Sequence, residues 1–595
     1  MSTPTNKKFF SGNEAIAYGA WEAGLHVACA YPGTPSTEIL EHLARFQEVD
    51  AEWSTNEKVA FDVAYGASLA GARSMVSMKM VGVNVAADSL MVTAFSGVHG
   101  GFVLVSADDP GMHSSQNEQD NRFFAKFAKV PMLEPANGQE AHDFVKRAFE
   151  LSEQFDIPVM LRTTTRINHT KCLVSLGERK EIPVKTYTPD AKKHVVPVYG
   201  KLRRARLDER MQELAEFCDQ NEFNRIEWGS KKIGIITSGI CYQYTKDIFS
   251  DASILKLGMT WPLPKKTILD FIEACEEVYI IEELEPFIEE EIRTWGVTNI
   301  VGKAKIPRTG ELSPEILRHA FFDVVPPASF ENEMPVQTRP PIMCPGCPHS
   351  PVFETLRRNR AIVAGDIGCY TLGALPPHDS IHTTFCMGAG YGNAFGMVKA
   401  HPELRKRIVG VIGDSTFMHS GISPLIDAVF NKCIATFILL DNSTTAMTGH
   451  QEHPGMPRTA KGEATVQIDY EMLIRALGVK WVKKVDPYDM EELRKVIKEA
   501  METEEVTVVI TEHPCVLLPE EKNKPYKPFQ IVSDDCTSCM LCFRIGCPAL
   551  IRTDGVPYID EARCNGCFLC GELCNLDAIK SVDELDGVLQ REIVE

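Results

Sequence analysis

The sequence predicts an α/β protein: several doubly wound domains in series, followed by a small cysteine-rich α+β domain. Three observations carry this reading. Continuous β-branched runs such as Arg407-Ile408-Val409-Gly410-Val411-Ile412 and Ile434-Ala435-Thr436-Phe437-Ile438-Leu439-Leu440 alternate with amphipathic stretches, as buried parallel strands and their crossover helices do. At 595 residues the chain exceeds what one hydrophobic core serves, so roughly three to five domains are expected. Eight of the nineteen cysteines crowd between Cys536 and Cys574, too densely for an ordinary apolar core.

Composition narrows the function classes. A hydrophobic fraction of 44% with 24% charged residues is that of a folded soluble protein. No run of eighteen apolar residues occurs and the first residues lack a signal-peptide core, so a cytoplasmic protein with no membrane role is expected. The formal charge of -19 argues against a nucleic-acid surface, which needs concentrated Lys and Arg. Cysteines in a cytoplasmic chain are thiols, and at this density they suggest metal ligation.

Taken in order, residues 1–185 form the first expected domain. Leu25 to Tyr31 reads as a strand, Pro32-Gly33-Thr34-Pro35 as a turn, and a helix follows, capped by Ser36 or Thr37 with Glu38 in its first turn. Asn56 to Arg73 is a small-residue helix that lets a neighbour approach closely, and Glu57 at its start is by itself an ordinary first-turn charge. A charged linker, Arg179 to Lys232, leads into the second α/β unit within residues 186–334, with strands at Ile233–Ser238 and Glu277–Glu282.

Residues 335–525 hold the centre of the chain. Two buried strands end in Gly413-Asp414-Ser415 and, 28 residues after Asp414, in Asn442. Open α/β sheets place ligands at such strand ends. A carboxylate, an amide and the main-chain oxygen of Thr444 are hard oxygen ligands suited to Mg²⁺ on a diphosphate; a strand end merely capped by Asp is the plainer alternative. Gly388 and Gly390, in Thr384-Phe385-Cys386-Met387-Gly388-Ala389-Gly390, offer backbone amides to a diphosphate at a helix start. Cys344-Pro345-Gly346-Cys347 suits a tetrahedral metal, and zinc fits that spacing as well as iron. Residues 526–595 carry Cys536, Cys539, Cys542 and Cys547, then Cys564, Cys567, Cys570 and Cys574, more thiols than one or two structural zincs use.

These motifs together resemble the 2-oxoacid:ferredoxin oxidoreductases over nearly the whole chain. Tyr31-Pro32-Gly33-Thr34-Pro35-Ser36, Asn56-Glu57 and Met78-Lys79-Met80-Val81-Gly82-Val83-Asn84 resemble the family's pyrimidine-binding domain. Gly413-Asp414-Ser415 to Asn442 resembles its thiamine diphosphate motif, with Ser415 where Gly is commonest, and Thr448-Gly449-His450-Gln451 resembles its Thr-Gly-Gly-Gln. The resemblance implies transketolase-like thiamine diphosphate domains, a scaffold domain at 186–334 and a two-cluster ferredoxin-like domain. It makes Glu57 the residue that hydrogen-bonds the aminopyrimidine ring and activates the cofactor, and puts the Thr34 hydroxyl toward the substrate. Cofactor contacts then fall on Gly388, Gly390, Gly413, Asp414, Ser415, Asn442 and Thr444, the last two with Asp414 as Mg²⁺ ligands.

In the ferredoxin-like domain the fourth Cys of each run crosses to the other cluster. One [4Fe-4S] cluster is thus expected on Cys536, Cys539, Cys542 and Cys574, the other on Cys547, Cys564, Cys567 and Cys570. Four residues rather than three precede Cys547, and Asn575 follows Cys574 where Pro is usual. A third cluster on Cys344, Cys347, Cys369 and Cys515, with zinc or free thiols as the alternatives, stays open. Pyruvate enzymes of the family use an Arg for the substrate carboxylate where this chain reads Ser106-Ala107-Asp108-Asp109-Pro110-Gly111. Arg122, His113 or a partner group are the substitutes to consider.

The combination implies oxidative decarboxylation of a 2-oxoacid with coenzyme A and ferredoxin. The family's indolepyruvate branch matches best, with a smaller β subunit carrying the remaining catalytic domain and an α2β2 assembly. Phenylpyruvate, branched-chain oxoacids and pyruvate remain substrate alternatives. A non-oxidative decarboxylase leaves eight cysteines without a role, and an electron-transfer subunit with an inactive thiamine site leaves Glu57, Asp414 and Asn442 without one.

Overall fold

The computed structural model describes residues 6–324 and 341–582. The first five residues, the expected boundary at 334 and 335, and the tail from 583 lie outside the described residues. Two compact units make up the chain, 1–333 with 460–462, and 334–459 with 463–595.

In the first unit a seven-stranded sheet runs Met259–Trp261, Met132–Leu133, Val159–Thr164, Phe102–Asp108, Ser74–Lys79, Val27–Ala30, Asp50–Trp53 from edge to edge. Every pairing but the first is parallel. Its three central strands are buried at every residue, and so their sequences run apolar without alternation. The edge strand Met259–Trp261 comes from the segment read as a separate scaffold, so that segment also completes the first sheet. A second sheet of five strands runs Ile300–Val301, Glu277–Ile281, Ser230–Ser238, Ala252–Leu257, Arg225–Glu227. The stretch expected as a charged linker contains a helix, Val196–Cys218, that buries Leu207, Arg210, Leu214 and Cys218. Those positions recur every three or four residues, and the charge of the other faces hid the stripe.

The second unit holds a six-stranded, fully parallel sheet in the order Ile381–Thr383, Ile362–Ala364, Ile408–Gly413, Thr436–Asp441, Thr507–Glu512, Trp481–Val485. From Ile362–Ala364 the chain moves outward to Ile381–Thr383, then crosses back to Ile408–Gly413 on the other side. That reversal opens a crevice at the carboxyl ends of the strands. Two short antiparallel pairs, Phe529–Ile531 with Ile579–Ser581 and Leu550–Thr553 with Val556–Ile559, build the small α+β part. Its core of Ile545, Ala549, Leu550, Ile559, Leu569, Leu573 and Ile579 receives Met490 from the helix Met490–Glu502. Among the described residues no helix is long and apolar enough to cross a membrane.

Candidate active site

Glu57 opens the helix Glu57–Leu69, whose N-cap Asn56 accepts the Val59 N–H at 2.9 Å. Asn and Asp favour that position because a short side-chain acceptor satisfies a first-turn donor. Glu57 itself is buried, with its side chain laid against Gly82 so closely that a methyl there would sit 2.6 Å from its Cγ. A carboxylate pinned at a helix start, with a glycine cut away to admit it, is more than a surface helix charge. The Thr34 turn is held by its own hydroxyls: Ser36 Oγ donates to Gly33 O at 2.9 Å and Gly33 N–H donates to Thr37 Oγ1 at 3.0 Å. Ser36 is therefore the N-cap residue without serving as a side-chain cap of Thr37–Leu43.

The two substitutes for the carboxylate-binding Arg both have carboxylate partners. Arg122 is buried and committed: its guanidinium bonds Asp120, donates to Glu282 at 2.6 Å, and donates to the main-chain oxygens of Glu283 and Glu285 at 2.8 and 2.9 Å. His113 lies on an exposed loop, 3.3 Å from Glu311. Sequence alone could not foresee this, because Arg122's partners at 282–285 are about 160 residues away.

In the second unit Asp414 follows the strand Ile408–Gly413 directly, and Asn442 follows the adjacent Thr436–Asp441. A Cβ on Gly413 would lie 2.7 Å from the Tyr370 ring, so that motif position admits only glycine. Asp414 accepts the Ser415 N–H at 2.8 Å on Oδ1 and the Asn442 N–H at 3.2 Å on Oδ2. One end of the Asn442 amide lies 3.2 Å from Asp414 Oδ2 and 3.0 Å from Thr444 O. As an NH₂ that end bridges two acceptors; as an oxygen it completes a set of three oxygens such as Mg²⁺ takes up. The residues fit the ion. Ser415 turns its hydroxyl to receive Thr445 Oγ1 at 3.0 Å. Burial alone would raise Asp414, yet His453, with Nε2 3.3 Å from Oδ2, and the Ser415 N–H outweigh it and hold the carboxyl below its ordinary range. Asp441, buried beside that charge, is pushed up to about 8.

The glycine loop differs from expectation. The Gly388 and Gly390 N–H groups donate to the Asp366 carboxylate at 3.1 and 2.8 Å, so an internal carboxylate already takes the amides expected to face a diphosphate. Burial lifts Asp366 to about 6 against these bonds. Gly388 is left-handed at φ 88°, and a Cβ on Gly390 would meet Val411 O at 2.7 Å, so the glycines serve close packing of the helix Ala389–Ala400 on the sheet.

The thiols sort into the expected sets. Cys536, Cys539, Cys542 and Cys574 line one cavity. Cys547, Cys564, Cys567 and Cys570 line another, which Cys344 and Cys347 also border. Backbone N–H groups of Ser538, Gly566 and Ala578 point at the sulfurs of Cys536, Cys564 and Cys574 at 3.4, 3.5 and 3.4 Å. Ser538, Met540, Gly546, Gly566 and Phe568 turn left-handed to wrap the backbone inward. Such N–H cradles suit clusters with sulfur ligands. Burial pushes the Cys347 thiol up, and Cys344, Cys369 and Cys515 add to it. Among the described residues no three His, Cys, Asp or Glu side chains close on a point as ligands of a single ion would.

Sequence reasoning passed over Lys79, Asp366, His453 and Tyr488. Tyr488 donates to Gly346 O at 2.5 Å and stacks on His513 with ring centroids 3.8 Å apart, joining the loop of Cys344 and Cys347 to the segment of Cys515. Asp366 carried a signal, since it follows a strand as Asp414 does.

Comparisons with known proteins place the chain among its relatives. Residues 18–206 match a family described as pyruvate flavodoxin/ferredoxin oxidoreductase, thiamine diphosphate-binding. Residues 366–511 match the thiamine pyrophosphate enzyme C-terminal binding domain. The chain is 41% identical to indolepyruvate oxidoreductase subunit IorA of Archaeoglobus fulgidus, over 96% of this chain and 97% of that one. It is 40% identical to the subunit of the same name from Pyrococcus horikoshii, over 98% of each. A 2-oxoglutarate:ferredoxin oxidoreductase structure from Magnetococcus marinus is similar at a TM-score of 0.42 and 16% identity, over 51% of this chain and 62% of that one, too distant to carry an argument.

Proposed function

The chain belongs to the family of indolepyruvate oxidoreductase IorA subunits, and from that premise we propose that it catalyses ferredoxin-dependent oxidative decarboxylation of indolepyruvate to the acyl-coenzyme A. The observation that carries this is the presence, in one unit, of the Asp414, Asn442 and Thr444 group and of two cavities lined by six and four thiols. A decarboxylase without electron transfer does not need the thiols, and an electron carrier does not need the oxygens.

Thiamine diphosphate, when bound, supplies the centre that adds to a ketone carbon and takes up the electrons left as CO₂ departs. Glu57 would accept a hydrogen bond from the aminopyrimidine ring on its buried carboxylate. Asp414, Asn442 and Thr444 would hold Mg²⁺. His453 orients Asp414, and Asp366 fixes the Gly388–Gly390 loop beside them. The Cys536 and Cys547 sets would each hold a [4Fe-4S] cluster, and Cys344, Cys347, Cys369 and Cys515 would be the ligands of a third. Clusters pass electrons singly, which suits ferredoxin as acceptor.

A smaller β subunit supplies the remaining catalytic domain, in an α2β2 complex. None of the nineteen cysteines is in a disulfide, which fits a reducing compartment. The complex is to be assayed with indolepyruvate, phenylpyruvate, pyruvate and a branched-chain oxoacid, coenzyme A and a viologen acceptor. Highest kcat/KM for an aryl substrate supports the reading; a preference for pyruvate overturns the substrate, and no reduction with any oxoacid overturns the reaction.

A further inference from the structure

The first unit's sheet ends in a rim. Thr34 follows Val27–Ala30, Lys79 ends Ser74–Lys79, Asp109 follows Phe102–Asp108 and Thr165 follows Val159–Thr164, on four adjacent strands. Ligands of parallel sheets bind at such carboxyl ends. Lys79 stands out there. It is 8% exposed, and among the described residues no carboxylate lies within ion-pair distance of it. Its ammonium donates to one neutral acceptor, Ser114 O, at 2.6 Å.

Asp109 acts on it through space but forms no ion pair with it within 4 Å. Asp109 is occupied by neutral donors: Ser114 N–H at 2.8 Å, Ser115 Oγ at 2.6 Å and Thr165 Oγ1 at 2.6 Å. The other cations near this rim are paired: Arg162 with Asp108 and Glu134, Arg166 and His113 with Glu311, His169 with Glu38, Arg122 with Asp120 and Glu282. Burying an ammonium without a counter-ion is costly. It is drawn down to about 8 by that burial, partly countered by Asp109.

The position links the two residues that matter. A Cβ on Gly33, next to Thr34, would lie 2.9 Å from Lys79 Cβ, so the Thr34 turn rests directly on the lysine stem. Three residues along from Lys79, Gly82 receives the Glu57 side chain. The lysine stem therefore lies against the turn expected to face the substrate, three residues before the glycine that receives Glu57, and its ammonium reaches Ser114, whose hydroxyl lies 3.4 Å from Thr34 O.

We propose that Lys79 is the substrate-binding cation, taking the carboxylate of the 2-oxoacid before that carboxylate leaves as CO₂. This rests on the reaction proposed above and adds to it the residue that selects an acid. The bond is an ion pair made with the ground state, with Ser114 O yielding its place as acceptor. Its loss raises KM more than it lowers kcat.

The test uses the complete α/β complex with Lys79→Met and Lys79→Arg. Steady-state rates with indolepyruvate are paired with calorimetric binding of a non-reacting 3-arylpropionate and of its neutral amide. Removing one partner of a buried ion pair weakens binding on the order of 100-fold. The wild type should bind the acid about 100-fold more tightly than the amide. Lys79→Met should erase that preference and raise KM about 100-fold, with kcat within about fivefold, and Lys79→Arg should restore most of both. Lys79→Gln carries the test if the Met variant does not fold. A wild-type KM in Lys79→Met, or an intact acid preference, overturns the proposal, as does a wild type that binds acid and amide alike. The binding arm needs no turnover: a complex inert toward oxoacids whose acid preference still depends on Lys79 would sink the reaction and leave this anchor standing.

Discussion

Replacing Gly82 by Ala should disable the protein through a single methyl. The added Cβ would stand 2.6 Å from Glu57 Cγ, 2.8 Å from Oε1 and 3.0 Å from Cδ. The first of these is about 0.8 Å inside the 3.4 Å at which ordinary contact begins. The crowded atoms include the stem of the side chain, so turning the carboxylate alone gives no relief and the whole arm must move. The fold should tolerate the change. Gly82 lies within the helix Met80–Val85, where Ala gains about 0.5–1 kcal/mol over Gly. Overpacking costs about 1–3 kcal/mol, which leaves roughly 0–2.5 kcal/mol of net destabilisation. A catalytic group displaced by about 1 Å loses on the order of 100-fold in rate. Viologen reduction by the reconstituted complex at saturating thiamine diphosphate should thus fall about 100-fold, while the circular-dichroism melting midpoint drops only by about a few degrees. A rate within twofold of wild type, in a folded variant, would refute the role given to Glu57.

Three further outcomes are expected. Asp414→Ala should abolish Mg²⁺-dependent binding of thiamine diphosphate in calorimetry, because an amide and a carbonyl alone cannot neutralise the ion; unchanged affinity would move the diphosphate site elsewhere. Iron analysis of anaerobically prepared protein should give about twelve atoms per chain, falling to about eight in Cys344→Ser, whereas eight in both would remove the third cluster. Arg122→Met should lower unfolding stability by about 3–5 kcal/mol, because Asp120 and Glu282 are left buried without their cation. Wild-type stability with only substrate affinity lost would return Arg122 to the list of substrate anchors.

By itself the sequence determined the chemistry that depends on residue type at fixed spacing. Strand runs ending in Asp414 and Asn442, a glutamate opening a small-residue helix, and two cysteine runs with crossing fourth members are local patterns, and local patterns survive translation into structure. The crossing is visible in the cavities, where Cys574 sits with Cys536 and Cys547 with Cys564. Only the tertiary structure decided which polar groups are already occupied. Arg122 looked available for a substrate until the segment Glu282–Glu285 enclosed it. The Gly388 and Gly390 amides looked available for a diphosphate until Asp366 took them. Lys79 carried no role in the sequence reading, yet the fold buries it with no carboxylate in ion-pair contact among the described residues. The physical reason is common to all three. A charge or an N–H is defined functionally by what neutralises it, and in a doubly wound fold the neutralising group arrives from a strand or loop far away in sequence, where no local spacing can announce it.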